Sequence, residues 1–358
     1  MKKSSSSKPS YSRPIKPAPK SLVERGRINF GTFSTPFEEI NPLDASRVFG
    51  LPVPRFLRYM RLKEWQAYQF GNDDCFILVV LYNQKAGLLT QFIYYDKKSR
   101  AGFKHEKIAV PWSAPMPATL RNSRACYESA GYRIDCRNLL DRGRLFVDVA
   151  IAARRGLPDV YGHFEALHDA PGVKPLVVSL PFAENRGMYS HKCLMPMKGE
   201  LVVGDRLIEF AERDSFGIID AHKGFYPYVL RYDWVTGARA GGKRGPVGFN
   251  LTDNQVLDRD LYNENCLWAD GALHLLPPVR FERPGGVKGD WLIRDEHGMV
   301  DIVFRPEMEN VINMNLLLVR TDYHGPFGSF SGTIRPRSGA KVAVDGFFGM
   351  GERKYLRG

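Results

Sequence analysis

The sequence predicts an all-β fold, a sandwich or barrel of many short antiparallel strands, and three observations support this. Aromatic and β-branched runs of strand length recur at spacings of roughly ten residues. Turn sequences such as VGDR, WADGAL, DEHGMV and RSGAK separate nearly all of these runs. No segment has an amphipathic helical pattern longer than about three turns. A chain of 358 residues is long enough for two domains or for one large β unit.

The strands are predicted from these apolar runs in chain order. GNDD and NQKAG break the first three runs, and the second and third run predict a hairpin. Segment 145–155 fits a short helix as well as a strand, and the flanking Gly143 and Gly156 favour a strand. The first half is predicted to hold strands at 65–70, 76–82, 88–95, 107–111, 127–136 and 144–152. The second half is predicted to hold strands at 199–203, 206–210, 227–234, 247–251, 265–269, 272–276, 279–282, 291–295, 300–305, 315–320, 328–334 and 341–348.

Residues 1–27 predict a disordered basic tail, because this Ser/Pro/Lys-rich segment has too little apolar surface to fold. The tail has eight basic residues against Glu24, which accounts for +7 of the net charge of +12. The folded body is therefore only mildly basic, and we expect no specific nucleic-acid partner. We expect at most a weak contact of the tail with anionic membranes, and no obligate protein partner.

The compartment and the cofactors are predicted from what the sequence lacks. It shows no secretory signal pattern and no run of about 18 apolar residues, which favours a soluble cytoplasmic protein. The five cysteines are an odd number without a CxxC pair, so we expect reduced thiols rather than disulfides or zinc ligands. No P-loop, dinucleotide fingerprint, GxSxG or HExxH motif occurs. We therefore expect no cofactor and no metal, although Asp322 and His324 have the spacing of two metal ligands.

A set of ordered motifs carries a resemblance to a known family. The motifs are KGELVVGDR, FGIIDAHKGFYPYVLRYDW, GPVGFNL, ENCLWADGALH, WLIRDEHGMVDIVFRP, FGSFSG and FFGMGE. They resemble an uncharacterised bacterial family, domain of unknown function 2804. That family is remotely similar to carotenoid hydratase and AttH-like proteins, which carry two lipocalin-like β-barrels side by side. The resemblance implies a lipocalin-like domain at 28–195 and a second one at 196–358, with few short helices.

The function that the resemblance implies is the binding, or the binding and carriage, of a hydrophobic small molecule in a β-barrel cavity. A lipid, an isoprenoid and a sterol-like compound are all compatible with this resemblance and with the supply of 22 Phe, 16 Tyr and 5 Trp. The alternative is a cofactor-independent enzyme of the hydratase, isomerase or cyclase type that acts on such a ligand. The family has no established functional residues, so the site has to be predicted from the residues themselves.

Asp220 and His222 are the predicted acid–base pair. Residues at i and i+2 of a strand face the same side, and an aspartate beside a histidine fixes the imidazole for proton transfer. The alternative is a structural hydrogen bond that fixes a turn before Gly224. Further predicted ligand-binding residues are Tyr226, Arg231, Trp234, Asn250, Glu264, Asn265, Trp268, Asp301, Arg320 and His324. For the aromatic members the alternative is plain core, and for the amides and carboxylates it is a structural tie between strands.

Overall fold

The computed structural model describes residues 11–241, 245–315 and 320–358. Within these ranges the chain divides into two compact units. The N-terminal unit comprises Ile15–Pro227 and the described part of Arg239–Val247, and the C-terminal unit comprises residues 11–14, Tyr228–Ala238 and Gly248–Gly358. Both are curled antiparallel half-barrels of lipocalin-like type, which confirms the predicted all-β class.

The elements of the N-terminal unit are short strands and one helix among the described residues. The helix is α1 (Arg55–Arg61). The strands are β1 (Ile15–Lys16), β2 (Val23–Glu24), β3 (Arg27–Ile28), β4 (Gly31–Phe33), β5 (Lys63–Gly71), β6 (Cys75–Asn83), β7 (Leu88–Asp96), β8 (Ala101–Ala109), β9 (Ser123–Ser129), β10 (Tyr132–Leu139), β11 (Arg144–Ile151), β12 (Val160–Leu167), β13 (Leu176–Ala183), β14 (Arg186–Val203), β15 (Arg206–Phe210) and β16 (Phe216–Gly224). Single 3₁₀ turns lie at Pro42–Asp44, Pro111–Ser113 and Leu140–Arg142.

The main sheet of this unit has the strand order β8-β7-β6-β5-β16-β14-β12-β11-β10-β9. The 18-residue strand β14 connects its two halves, because it pairs with β16 over its first part and with β12 and β15 over its last part. The inner face carries an apolar core that includes Tyr68, Phe92, Phe164 and Met195. Burial alternates strictly along β11, as expected for a strand with one face in this core.

The C-terminal unit is built from the remaining strands. They are β17 (Val229–Arg239), β18 (Val247–Asp253), β19 (Cys266–Ala269), β20 (Ala272–Leu275), β21 (Val279–Glu282), β22 (Trp291–Asp295), β23 (Val300–Met308), β24 (Val311–Asn315), β25 (Arg320–His324), β26 (Phe327–Ile334), β27 (Val342–Ala343) and β28 (Phe348–Arg357). Their main order is β20-β19-β18-β17-β28-β26-β23-β22-β21. Aromatic rings fill the centre: Phe330 contacts Phe249 at 4.9 Å and Phe304 at 4.8 Å between ring centroids.

Two predicted boundaries differ from the structure. The predicted domain boundary between residues 195 and 196 lies inside β14, and the chain passes between the two compact units after Pro14, Pro227, Ala238 and Val247. The predicted tail is folded from residue 11 onward. The Tyr11 hydroxyl donates to the Asp260 carbonyl at 2.6 Å, and Arg13 is buried with donors to the carbonyls of Leu276 and Asn265.

Most predicted strands are present, and several strands were missed. Segment 145–155 lies largely in strand β11, so the predicted strand, and not the alternative short helix, is present. Segment 127–136 is a hairpin, β9–β10, which turns at Gly131 with φ +65°. Strands β12, β13, β16 and most of β14 were not predicted, and segment 315–320 falls largely on residues outside the described part. All five cysteines are free thiols, and no helix of the described residues has the length and apolarity to cross a bilayer.

Candidate active site

Strand β16 places Asp220 and His222 on one face of the N-terminal sheet. Its neighbour β14 sets Lys192 opposite Asp220 and Ser190 opposite His222. On its other side, β5 sets Trp65 opposite His222. Because side chains directly across an antiparallel pair lie close together on the same face, the register alone gathers these five groups.

A charged contact lies at the centre of this cluster. The Asp220 Oδ1 atom lies 2.6 Å from Lys192 Nζ and 2.8 Å from His222 Nε2, and all three side chains are at least 91% buried. The Ser190 hydroxyl lies 3.0 Å from the same Nε2 atom. The carboxylate therefore has a cationic partner and a histidine in contact with one oxygen, away from water.

The other ring nitrogen of His222 meets Tyr226. The Tyr226 hydroxyl lies 3.1 Å from His222 Nδ1, and Met188 Sδ is a second acceptor for it at 3.4 Å. The chain between the two residues turns at Gly224, where a side chain would overlap the backbone of Met188. Glycine is thus required for the approach that brings Tyr226 back to the imidazole.

Trp65 forms an aromatic wall along this network. Its ring stacks on His222 with centroids 4.3 Å apart and an interplanar angle of 13°, and on Tyr226 at 5.5 Å. Tyr82 packs edge-on against the other part of the indole at 5.7 Å. Both Trp65 and Tyr82 are partly exposed, so the apolar wall continues from the buried network towards solvent.

The protonation of the network follows from its charges. Burial raises the pKa of Asp220, but the Lys192 ammonium and His222 outweigh burial and hold that pKa well below its usual range. At neutral pH Asp220 is a carboxylate that can only accept hydrogen bonds, and the His222 tautomer with its proton on Nε2 complements it. In that tautomer Nδ1 is the acceptor for the Tyr226 hydroxyl.

A buried amide, that of Gln69, lies next to these groups. Gln69 is on the same face of β5 as Trp65, opposite Ile218 and diagonal to Asp220. It is fully buried, and among the described residues neither its Oε1 nor its Nε2 atom has a hydrogen-bond partner. An unpaired amide in the interior is costly, and this one can hydrogen-bond a polar group that the described residues do not supply.

A small recess opens beside β16. Its wall includes Glu64, Gln66, Tyr189, His222 and Lys223, and its open space is about 20 Å³, room for one water molecule. Glu64 pairs with Lys223 at 2.7 Å and also with Lys85, and all three groups are buried or nearly so. This recess is too small for a lipid-sized molecule.

The predicted residues of the C-terminal unit form structural ties. The Trp234 indole N–H donates to Asn250 Oδ1 at 2.6 Å, and Asn250 Nδ2 donates to the Glu264 carbonyl at 2.7 Å. Asn265 accepts from the Thr252 amide at 2.6 Å and donates to the Pro277 carbonyl. These contacts agree with the structural alternative, in which amides join strands.

The other predicted residues lie at several separate places in that unit. Arg231 and Arg320 contact the Tyr355 ring at 5.4 and 5.3 Å. Asp301 is exposed on β23 and pairs with Arg294. His324 pairs with Asp322, and Trp268 is buried on β19. No cluster of three or more metal-ligand side chains occurs in the described ranges.

Of the partners of Asp220 and His222 at other positions, the sequence had indicated Tyr226. Lys192, Ser190 and Gln69 were not predicted, and Trp65 was predicted only as a strand residue. The available signal was the lysine directly before the apolar stretch CLMPM, since a lysine in a buried strand needs a carboxylate partner.

The protein is a lipocalin-like all-β protein with a buried charged network on one sheet. The chain belongs to the family described as Domain of unknown function (DUF2804), whose model matches residues 13–357. No curated protein matches the chain in sequence.

Two solved structures are similar to it. The crystal structure of CghA with Sch210972 has a TM-score of 0.53 and 12% identity, and the match covers 83% of this chain and 89% of that chain. Kievitone hydratase from Nectria haematococca has a TM-score of 0.49 and 10% identity, with coverages of 82% and 88%. The likeness to CghA is one of fold.

Proposed function

We propose that the protein is an enzyme that binds an apolar small molecule and uses its own side chains to move a proton to or from that molecule. The observation that carries this proposal is the buried chain of contacts Lys192–Asp220–His222–Tyr226. Hydration, isomerisation and cyclisation at a double bond are the reaction types that such a chain suits. The aromatic wall of Trp65 and Tyr82 supports an apolar substrate.

A purely structural role for this network is disfavoured on energetic grounds. A buried ion pair gives a fold no more stability than well-packed apolar residues of the same size, because desolvation offsets the attraction. A sheet whose neighbouring residues are largely apolar has no structural need for Lys192 and Asp220. Buried groups with shifted pKa values are typical of functional sites.

The contacts define a route for the proton. Tyr226 takes a proton from the substrate as it passes its own proton to His222 Nδ1, and Asp220 stabilises the imidazolium that results. In the reverse direction the same chain delivers a proton to the substrate. Lys192 keeps Asp220 ionised, and Gln69, with one donor and one acceptor unused, orients a polar group of the substrate.

Solvent deuterium tests this proposal. The protein is incubated in D₂O with an apolar extract of its source cells, and the extract is analysed by mass spectrometry. We expect one class of apolar compound to gain deuterium with the wild type, and not with His222→Gln or Tyr226→Phe. Tyr232→Phe, which removes a hydroxyl bonded to Glu352 in the C-terminal unit, is the matched control and retains the exchange. Deuterium uptake that survives His222→Gln, or none with the wild type, contradicts the proposal.

Carriage without chemistry is the second candidate. It is supported by CghA, a protein of this fold whose crystal structure contains the small molecule Sch210972. In that case native mass spectrometry finds an apolar molecule bound to the purified protein, and the molecule leaves unchanged and free of deuterium.

A further inference from the structure

The N-terminal unit exposes a set of large apolar side chains at one end. Helix α1 buries none of its seven residues, and it presents Phe56, Leu57, Tyr59 and Met60 to solvent. Phe56 is 66% exposed. Trp112, in the segment after β8, is 75% exposed, and Ile108 is 78% exposed. We call these side chains, together with Leu51 and Val110, the end patch.

The two parts of the end patch meet at the turn between β6 and β7. Lys85 Nζ, in this turn, lies 4.7 Å from the centre of the Tyr59 ring. Asn83, at the start of the same turn, donates from Nδ2 to the carbonyls of Pro111 at 2.6 Å and Ala114 at 3.2 Å. One turn thus holds both α1 and the Trp112 segment.

Helix α1 is attached to the unit by polar side chains and by the Tyr59 ring, whereas Phe56, Leu57 and Met60 are exposed. Arg55 pairs with Asp44 at 2.6 Å, and Arg58 donates to the Ala45 carbonyl. This is the reverse of an ordinary surface helix, whose apolar stripe faces the core. An apolar face of this kind, left in water, marks an interaction surface.

The charge around the helix side of the end patch is predominantly positive. Residues 44–64 contain five basic side chains against Asp44 and Glu64, and the basic ones are Arg47, Arg55, Arg58, Arg61 and Lys63. On the other side of the patch, Arg121 and Arg124 are paired with Glu38 and Asp135. Trp, Phe, Tyr and Leu beside Lys and Arg are the composition of surfaces that lie in the headgroup region of a membrane.

We propose that the end patch docks on the surface of a lipid bilayer that contains anionic lipid. Its apolar side chains enter the headgroup region, and the excess of basic side chains in segment 44–64 attracts the anionic headgroups. This inference is independent of the enzymatic proposal. The recess beside Glu64 lies next to the end patch through the Glu64–Lys85 contact, so docking brings it to the surface where apolar molecules partition.

Vesicle flotation tests the docking. The full chain is mixed with vesicles of phosphatidylcholine, with or without phosphatidylglycerol. We expect the wild type to float with the anionic vesicles and to be released by high salt, because screening weakens the headgroup attraction. The double variant Phe56→Ser/Trp112→Ser is expected to lose roughly tenfold or more of this partitioning.

The matched control is the double variant Tyr161→Ser/Leu207→Ser. Its two side chains are 51% and 56% exposed on other strands of the same unit, and it is expected to float like the wild type. Trp112→Phe should remove most of the blue shift in tryptophan emission that vesicles produce. Equal flotation of both double variants overturns the proposal. The proposal is also overturned if the wild type does not bind vesicles but forms dimers in sedimentation velocity, and if Phe56→Ser/Trp112→Ser abolishes these dimers. The partner that covers the end patch is then a second copy of the chain.

Discussion

The Lys192 ammonium lies 2.6 Å from Oδ1 of Asp220, and both side chains are almost fully buried. The pair bridges two neighbouring strands, β14 and β16, at directly opposite positions. Each charge is tolerated in the interior because the other is present. The consequences of removing one charge and of removing both are therefore different.

We predict that Lys192→Met lowers the free energy of unfolding by about 3–5 kcal/mol, because it leaves the Asp220 carboxylate buried with no cation beside it. The double variant Lys192→Met/Asp220→Leu should be more stable than Lys192→Met. Urea unfolding followed by fluorescence measures both. If Lys192→Met has the same free energy of unfolding as the wild type, the buried Asp220 carboxylate does not need the Lys192 ammonium, and the prediction is wrong.

Acid should destabilise the fold through His191. This side chain is buried on the inner face of β14, its Nδ1 atom lies 3.5 Å from the Tyr189 hydroxyl, and its ring stacks on His168 at 5.6 Å. Burial, with a smaller contribution from His168, lowers the pKa of His191 to about 3. In the unfolded chain the pKa of a histidine is about 6.5. The unfolded state therefore binds the proton first, and stability falls as the pH drops from about 6.5 towards about 3, by up to about 1.4 kcal/mol per pH unit.

We expect His191→Gln to flatten the loss of stability in this pH range, measured as the melting temperature at a series of pH values. His297→Gln, at an exposed position, is the control and should keep the wild-type profile. Below about pH 4, Asp220 adds a second loss of stability. Because the pKa of Asp220 is lower in the folded state than in the unfolded state, its carboxylate stabilises the fold at pH values above the unfolded pKa. This stabilisation is lost as the pH falls and the folded carboxylate is protonated. An unchanged profile in His191→Gln would rule out His191 as the source.

We predict that Gln69 lowers the stability of the fold and contributes to the binding of a ligand. Because its amide is buried without a partner among the described residues, Gln69→Leu is expected to raise the free energy of unfolding by about 1–3 kcal/mol. The same variant should weaken the binding or turnover of any apolar ligand that the deuterium experiment identifies.

The control for Gln69 lies three residues away on the same strand. Gln66 accepts hydrogen bonds at Oε1 from the Tyr68 hydroxyl at 2.9 Å and from Asn138 at 3.1 Å. Gln66→Leu should therefore destabilise the protein, in the opposite direction from Gln69→Leu. If both variants shift the urea midpoint in the same direction, the unpaired state of Gln69 has no energetic consequence.

The sequence predicted the fold class and three residues of the candidate site, namely Asp220, His222 and Tyr226. Local alternation and turn residues are visible in the chain, so the strands with clear turns, such as β21 and β22, were predicted to the residue. The spacing of Asp220 and His222 predicted their common face. Strand β14 was largely missed because it is buried on both faces in its first part, so its apolar residues do not alternate.

Lys192 could not be assigned to Asp220 for a different reason. The two residues are 28 positions apart, and only the register of β14 against β16 makes them neighbours. A one-residue slip of that register would put Lys192 on the other face. The same holds for Trp65, which reaches His222 across a long-range strand pair. Register is a property of the whole sheet, which a reading of single segments does not provide.

Arg13 should matter for the C-terminal unit, although its sequence context predicted a disordered tail. Its guanidinium donates to the Leu276 carbonyl at 3.0 Å and to the Asn265 carbonyl at 3.3 Å, and burial lowers its pKa. Hydrogen bonds from a charged donor contribute about 1.5–3 kcal/mol each, and the carbonyls would lose their partner. We predict that Arg13→Met lowers the stability of the C-terminal unit by at least about 1.5 kcal/mol, measured by hydrogen exchange of the amides in β19 and β20.

Arg27→Met removes the same charge from an exposed position on β3 and serves as the control. It should leave the exchange in β19 and β20 unchanged. Equal protection in both variants would contradict the prediction, because the burial of Arg13 would then contribute nothing to the unit. Faster exchange only in Arg13→Met would establish that a residue from the start of the chain is part of the C-terminal fold.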